Sequence, residues 1–513
     1  MKKSQLMTVL LCGATLSGCL ELGGSWGATA TEVTVGAATA DATGTTQCAD
    51  DACDSLDPYD SYDADDGPWC SDGQFEPERG EACDDGNWEN GDGCDELCEL
   101  ECGNSRVEGE EMCDDGNDVD DDACNNSCRR NPCQMGAALV VSGLAENDHF
   151  GSAVAVADDV LVVGARADSA TSGAAYVCEN IDGEWLYTGR LVASDTAAGD
   201  SFGAAVGVSG YVIVVGAPRS SAQATGAAYV FERTGGAWVE VARLEGGEGA
   251  LGDRFGESVA LDGFTAVIGA PHADGEGAER GAAYVFERSG GAWSNVAELW
   301  ASDSVDFAHA GTAVAVEDGL IFVGAPGDSS GGQTLSGAAY VYAGSGAKWQ
   351  EVTKLGAADP TQGAGFGSSV AVLGDTAVLG APGESSQGLA SGAAYVFDKF
   401  ADAWTQSAKI VAEDGAAGDE FGAAVSGAGD MLVFGAPGDD PSRAPEIEDA
   451  GSTAVFVREG GVWTPAMHLL SPEVGLSDRF GGAVAYDGGA LLVGAELASG
   501  SQASLGAAYL FSP

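Results

Sequence analysis

From about residue 134 to the end, short apolar runs alternate with small and polar positions and are broken by glycine-containing turns. A period of two predicts strands, and its return at long range predicts a repeat architecture. Each unit opens with a block of 16 residues. The blocks begin at Phe150-Gly151, Phe202-Gly203, Phe255-Gly256, Ala310-Gly311, Phe366-Gly367, Phe421-Gly422 and Phe480-Gly481. Each closes on a Gly-Ala pair, and proline follows in five of the seven. Successive blocks lie 52 to 59 residues apart.

Within a block the pattern reads as strand, two-residue turn, strand. Leu261 and the run from Thr265 to Ile268 flank Asp262-Gly263, a strong hairpin signal. Ser209-Gly210 and Asp487-Gly488 are the corresponding turns of two other blocks. A third strand follows as Gly-Ala-Ala-Tyr-Val, opening at Gly173, Gly226, Gly281, Gly337 and Gly392. Gly506 opens a copy ending in Leu510, and Gly451-Ser452-Thr453-Ala454-Val455 is a divergent copy. Trp185, Trp238, Trp293, Trp349, Trp404 and Trp463 each stand nine residues after the tyrosine position and begin a fourth strand. Four antiparallel strands repeated seven times predict an all-β fold, a seven-bladed β-propeller of four-stranded blades. Gly, Ala and Ser leave room where inner strands converge, and Tyr, Trp and Val fill the wider space outside. The last unit ends at its third strand, while Ala138-Leu139-Val140-Val141 precedes the first block. This N-terminal strand is expected to complete the seventh blade, because an unpaired edge would otherwise remain.

The Phe-Gly…Gly-Ala-Pro signature resembles the FG-GAP repeat of the integrin α-subunit head, over about 380 residues. The resemblance implies a seven-bladed propeller and, by analogy alone, adhesion. An integrin-type calcium loop, Asp-x-Asp-x-Asp-Gly, would lie between the first two strands. A two-residue turn has no room for it, so calcium does not carry over to the propeller.

Ahead of the propeller (134–513) the composition changes three times. Residues 1–18 read as a signal peptide, with Lys2 and Lys3 before an apolar stretch too short to span a bilayer. Leu16-Ser17-Gly18-Cys19 resembles the bacterial lipobox, which implies lipidation at Cys19; an ordinary secretory signal with a chance cysteine is the alternative. Residues 19–69, rich in Ala, Thr and then Asp, carry too little apolar surface to fold alone and read as a tether. Residues 70–133 hold two cysteine-rich copies in which Cys-Asp-Asp-Gly-Asn recurs in register. These resemble the myxobacterial-type cysteine-rich repeat of bacterial surface proteins.

Once Cys12 is removed and Cys19 is lipidated, twelve cysteines remain: Cys48, Cys53, Cys70, Cys83, Cys94, Cys98, Cys102, Cys113, Cys124, Cys128, Cys133 and Cys178. An even number in an exported chain reads as disulfides, with connectivity open. Cys133 and Cys178 either pair with each other, or one of them pairs back into the cysteine-rich copies. Asp84, Asp85 and Asn87, with Asp114, Asp115 and Asn117, offer hard oxygen ligands around a glycine turn, which suits calcium. The same residues also make ordinary turns between disulfides. No other cofactor is indicated.

The 513-residue chain carries 21 basic and 80 acidic residues, a formal charge of −59. Nucleic acid is excluded as a partner, since phosphate binding needs a basic footprint. Membrane contact is expected through the lipid only, which places the protein in the cell envelope, at the surface of the outer membrane. The connections from strand four to strand one and from strand two to strand three are long and share one face. Ser194–Asp200, Arg219–Thr225, His272–Arg280, Gly327–Ser336 and Gly438–Ala450 are examples. Variable loops on a rigid scaffold are the usual place for binding. Their Asp, Ser, Thr, Gln and Gly suit a protein or carbohydrate on a cell surface or matrix. Asp148, Asp200, Asp253, Asp419 and Asp478 each stand two residues before the block and read as turn caps. His272 and His309 fall on loops of adjacent blades, without the fixed spacing of a metal motif. No catalytic signature is present. The chain therefore reads as a binding or adhesion module. A structural envelope protein is the second reading and a propeller-based enzyme the third.

Overall fold

The computed structural model describes residues 133, 138–139, 144 and 147–512, apart from loop stretches at 167–171, 196, 220–224, 248–251, 276, 330–331, 402, 441–447, 473–474, 476 and 499–504. Within these bounds the chain forms six four-stranded antiparallel sheets and a seventh of three named strands. Each sheet runs in sequence order, so each is an up-and-down blade. The first strands of successive blades pack on one another around the axis, and that of blade seven (Ala483–Tyr486) returns to that of blade one (Phe150–Ala157). The protein is an all-β, seven-bladed propeller.

The core lies between blades. Leu161, Val163 and Tyr176 of blade one pack with Leu492 and Leu510 of blade seven. On its other side Val162 and Val177 meet Phe202, Ile213 and Tyr229 of blade two. Because both faces of a second strand are covered, Val160–Ala165 is buried at every position. That explains its unbroken apolar run. Fourth strands form the outer edge and alternate instead, as Ala237–Leu244 does.

The block's ends are explained by contact between neighbouring blades. Phe202 N–H donates to the carbonyl of Ser172 in the preceding blade at 2.9 Å. The same bond recurs at every junction, and Phe150 to Leu505 (2.9 Å) makes the one that closes the ring. Gly203 has φ +90°, and a Cβ there would lie 2.2 Å from the Ala174 carbonyl oxygen. Gly164 is just as tightly placed, since a Cβ on it would lie 2.0 Å from the Gly203 carbonyl oxygen. Only glycine allows the backbones to approach this far.

The N-terminal strand does complete blade seven. Ala138 bridges Tyr509 antiparallel, and Leu139 N–H donates to the Ala508 carbonyl at 2.8 Å. Val140 and Val141 lie outside the described residues. Just upstream, Cys133 N–H donates to the Trp185 carbonyl of blade one at 2.7 Å. A disulfide joins Cys133 to Cys178 on blade one's third strand, with their Cα atoms 6.5 Å apart. The incoming chain thus ties blade one to blade seven, where the ring closes.

Three details correct the reading from sequence. The turn in blade three is Gly263-Phe264, one residue later than expected, since Asp262 pairs with Thr265. In blade two it is likewise Gly210-Tyr211, with Ser209 paired to Val212. Blade seven has a four-residue turn, since Tyr486 pairs with Leu491; Asp487 there accepts from the N–H groups of Gly489 and Ala490.

Candidate functional site

The two faces of the ring differ as the loop lengths predict. One is closed by short turns. The other is built from the long connections, and three cavities lie among them, of about 450, 240 and 380 Å³.

The largest cavity belongs to blade six. Phe421, Phe456, Ala436 and Ala454 form its apolar floor, and Met467 and Pro465 flank it. Its polar wall is Asp414, Asp419, Asp439, Ser452 and His468, with Glu413 beside them. His468 Nε2 lies 3.5 Å from Asp439. Burial raises the Asp439 carboxyl, but hydrogen bonds from His468 and Ser452 outweigh it and hold the group below its ordinary range. Asp419 goes the other way, pushed up to about 6 by burial and by the carboxylates of Asp439, Asp440 and Asp414. Its Oδ2 accepts the Ala416 N–H at 2.6 Å, as a turn cap does. Asp200 and Asp478 cap Ala197 and Gly475 in the same way, at 2.8 and 2.6 Å. Asp200, Asp419 and Asp478 therefore serve as the caps expected of them.

The second cavity sits near the axis. Arg166, Arg219 and Arg254 line it together with His149 and Glu257, a local concentration of guanidinium groups in an acidic chain. Arg166 pairs with Glu496 at 2.7 Å. The third is bounded by Arg280, Trp300, Ser302 and Ser304.

His272 and His309 do meet. Their rings are 4.9 Å apart, edge to face. His272 Nδ1 hydrogen-bonds Glu279 at 2.9 Å, and one ligand atom from each of His272, Glu279 and His309 lies within 4.8 Å of the others. Burial and the neighbouring His272 hold the His309 imidazole below its usual value, which favours the neutral, ligating form. Two imidazoles and a carboxylate are a donor set of the zinc type.

A second pattern joins blades on their outer sides. Glu179 of blade one pairs with Arg233 of blade two and accepts the Trp238 indole N–H at 2.8 Å. Glu232 does the same for Arg288 and Trp293, at 2.6 and 3.1 Å. Asp398 holds Arg458 through two bonds of 3.2 and 2.9 Å. These partners lie about 60 residues apart in sequence, which hides them from a linear reading.

The sequence matches the FG-GAP repeat model seven times, over residues 136–178, 185–231, 238–286, 293–342, 349–397, 404–456 and 463–511. The chain belongs to the FG-GAP repeat family. The matched segments run from one blade's fourth strand to the next blade's third, so each FG-GAP unit straddles a junction and carries the contacts that define it. Residues 95–129 match a domain of unknown function (DUF4215). No curated protein matches the chain.

Among the FG-GAP units blade six is the exception, with Ala454 where the others carry a buried tyrosine. Sequence reading registers the divergent copy but not its consequence, because a hole has no residue of its own. Asp439 and His468 become visible as a pair only through the register of the second, third and fourth strands. Cys19, the calcium candidates Asp84, Asp85, Asn87, Asp114, Asp115 and Asn117, and the cysteines from Cys48 to Cys128 lie outside the described residues.

Proposed function

We propose that this FG-GAP propeller is a non-catalytic binding module whose recognition surface is the long-loop face, displayed from the cell envelope on a lipid-anchored tether. The observation that carries the reading is the placement of the three cavities among the long connections of one face. A rigid ring of inter-blade cores holds those loops, and pockets on a rigid scaffold are where recognition concentrates. The integrin-like fold agrees with such a role, and adhesion to a surface protein or glycan is its natural form. Loops rich in Asp and Ser suit sugar hydroxyls and basic protein surfaces.

The test is attachment of beads coated with the full chain to intact cells and to purified polysaccharides. Beads carrying a version with shortened 2→3 and 4→1 loops are the comparison. Attachment that depends on those loops supports the module. Equal attachment of the two versions, or none by a folded parent, moves the weight to a structural envelope role.

A further inference from the structure

We propose that the blade-six cavity is a recognition site for a phenol ring, supplied by an exposed tyrosine of a partner protein or by a free phenolic compound. The proposal rests on the reading of the long-loop face as the binding surface. Its template is inside the molecule.

Six blades carry a buried tyrosine at one register of the third strand. In blade four Tyr340 Oη lies 2.8 Å from Asp303 and 3.0 Å from Asp328. Lys354 sits 4.9 Å from the ring centroid and donates to the same two carboxylates at 3.0 and 3.2 Å. Blade five repeats the arrangement around Tyr395, with Lys409 over the ring and bonded to Asp359 and Glu384 at 2.7 and 3.2 Å. In blade two Tyr229 donates to Asp195 at 2.7 Å under Arg243. The fullest frame, in blade four, is therefore two carboxylates for the hydroxyl and a cationic side chain over the ring; blade five places two acids and a lysine likewise, and blade two one acid and an arginine.

Blade six keeps the frame and lacks the ring. Asp414 stands four residues after Ile410, as Asp303 does after Leu299. Asp439 follows Gly435 by four, as Asp328 follows Gly324. His468 pairs across the strands with Ala454, as Lys354 pairs with Tyr340. Phe434 stands where the other blades have Val, Ile or Leu, and packs on Phe421 at 5.1 Å. It takes up the inner part of the space, yet about 450 Å³ remains, bordered by Asp414, Asp439 and His468. That is room for a ring and the group that carries it. The apolar floor of Phe421 and Phe456 selects an aromatic face, and the paired carboxylates select a donor at its far end. An isolated lysine side chain would meet the acids but leave the floor uncovered.

Calorimetry on the full chain tests this with three probes: p-cresol, N-acetyltyrosinamide and N-acetylphenylalaninamide. The two phenols should bind, and the phenylalanine analogue should bind about tenfold more weakly or worse, because it cannot donate to the carboxylates. Ala454→Tyr, which supplies the ring internally, should abolish phenol binding while keeping or raising the melting temperature. Ala454→Leu serves as a smaller plug if tyrosine cannot fit beside Phe434. Tighter binding of the tyrosine amide than of p-cresol points to a peptide source; equal binding points to the free phenol. Absence of phenol binding, equal affinity for the phenylalanine analogue, or binding that survives in a folded plugged variant overturns the proposal. Loop-dependent bead attachment without phenol binding would sink the phenol site alone and leave the binding face standing.

Discussion

Asp419 gives the sharpest test of how the cavity is built. It is 4% exposed, its cap bond to Ala416 is 2.6 Å long, and three further aspartates surround it. Burial and those charges lift its carboxyl from 3.8 to about 6. A carboxyl raised in the folded state contributes stability that is complete below the unfolded value and is lost as pH rises through the folded one. The window therefore runs from about pH 4 to about pH 6. At 1.36 kcal/mol per pH unit, the interval from 3.8 to about 6 is worth about 3 kcal/mol. Asp419→Asn keeps an oxygen for the Ala416 N–H and removes the charge. Urea denaturation of parent and variant at pH 4 and pH 7.5 should show near equality at the lower pH. At the higher pH the variant should be more stable by up to about 3 kcal/mol. A variant less stable at pH 7.5, or a difference that does not change with pH, would refute the electrostatic account and leave Asp419 as a cap alone.

Reducing Cys133–Cys178, or replacing both with serine, should cost about 4 kcal/mol on the chain-entropy account of a loop of its length, read as a shift in denaturant midpoint with and without reductant. Gly203→Ala should cost about 3 kcal/mol or more, because φ +90° and the Ala174 carbonyl both oppose a Cβ; a thermal melt within a degree or two of the parent would contradict the close-approach argument. The Asp398 carboxyl is half-buried, and although that burial raises it, its hydrogen bonds and the Arg458 ion pair hold it below the ordinary range. Its contribution to stability is then present above that range and is lost as pH falls through its folded value. Asp398→Asn should thus destabilise at neutral pH and converge on the parent in acid, by pH-dependent denaturation. The imidazole of His309 should titrate below the usual histidine range; NMR titration placing it at or above that range would contradict the packing of His272 against it.

Much of the fold follows from residues next to one another in sequence. Phe-Gly and Gly-Ala mark places where one blade's backbone touches the next, and only small or fixed residue types satisfy that contact. Short apolar runs between glycine-containing turns set the strands, the seven blocks set the blade count, and the fourth strand lacking from the last unit pointed to Ala138 and Leu139. Loop lengths likewise showed which face holds the long connections.

The tertiary structure decided what depends on register between strands. In six blades the third and fourth strands shift by one residue at a bulge, as between Val455 and Phe456. The extra residue turns the rest of the fourth strand over, so that Lys354 lies above Tyr340 and His468 beside Ala454. Nothing in the local sequence announces that shift, because a bulge is paid for by packing across the sheet. The carboxylates of Asp414 and Asp439 come from two different connections, and only the packing of the blade-five-to-six connection against blade six brings them to one cavity. A sequence records which side chains exist; the distance between them across blades is set by hydrogen bonds between residues some 30 to 60 positions apart.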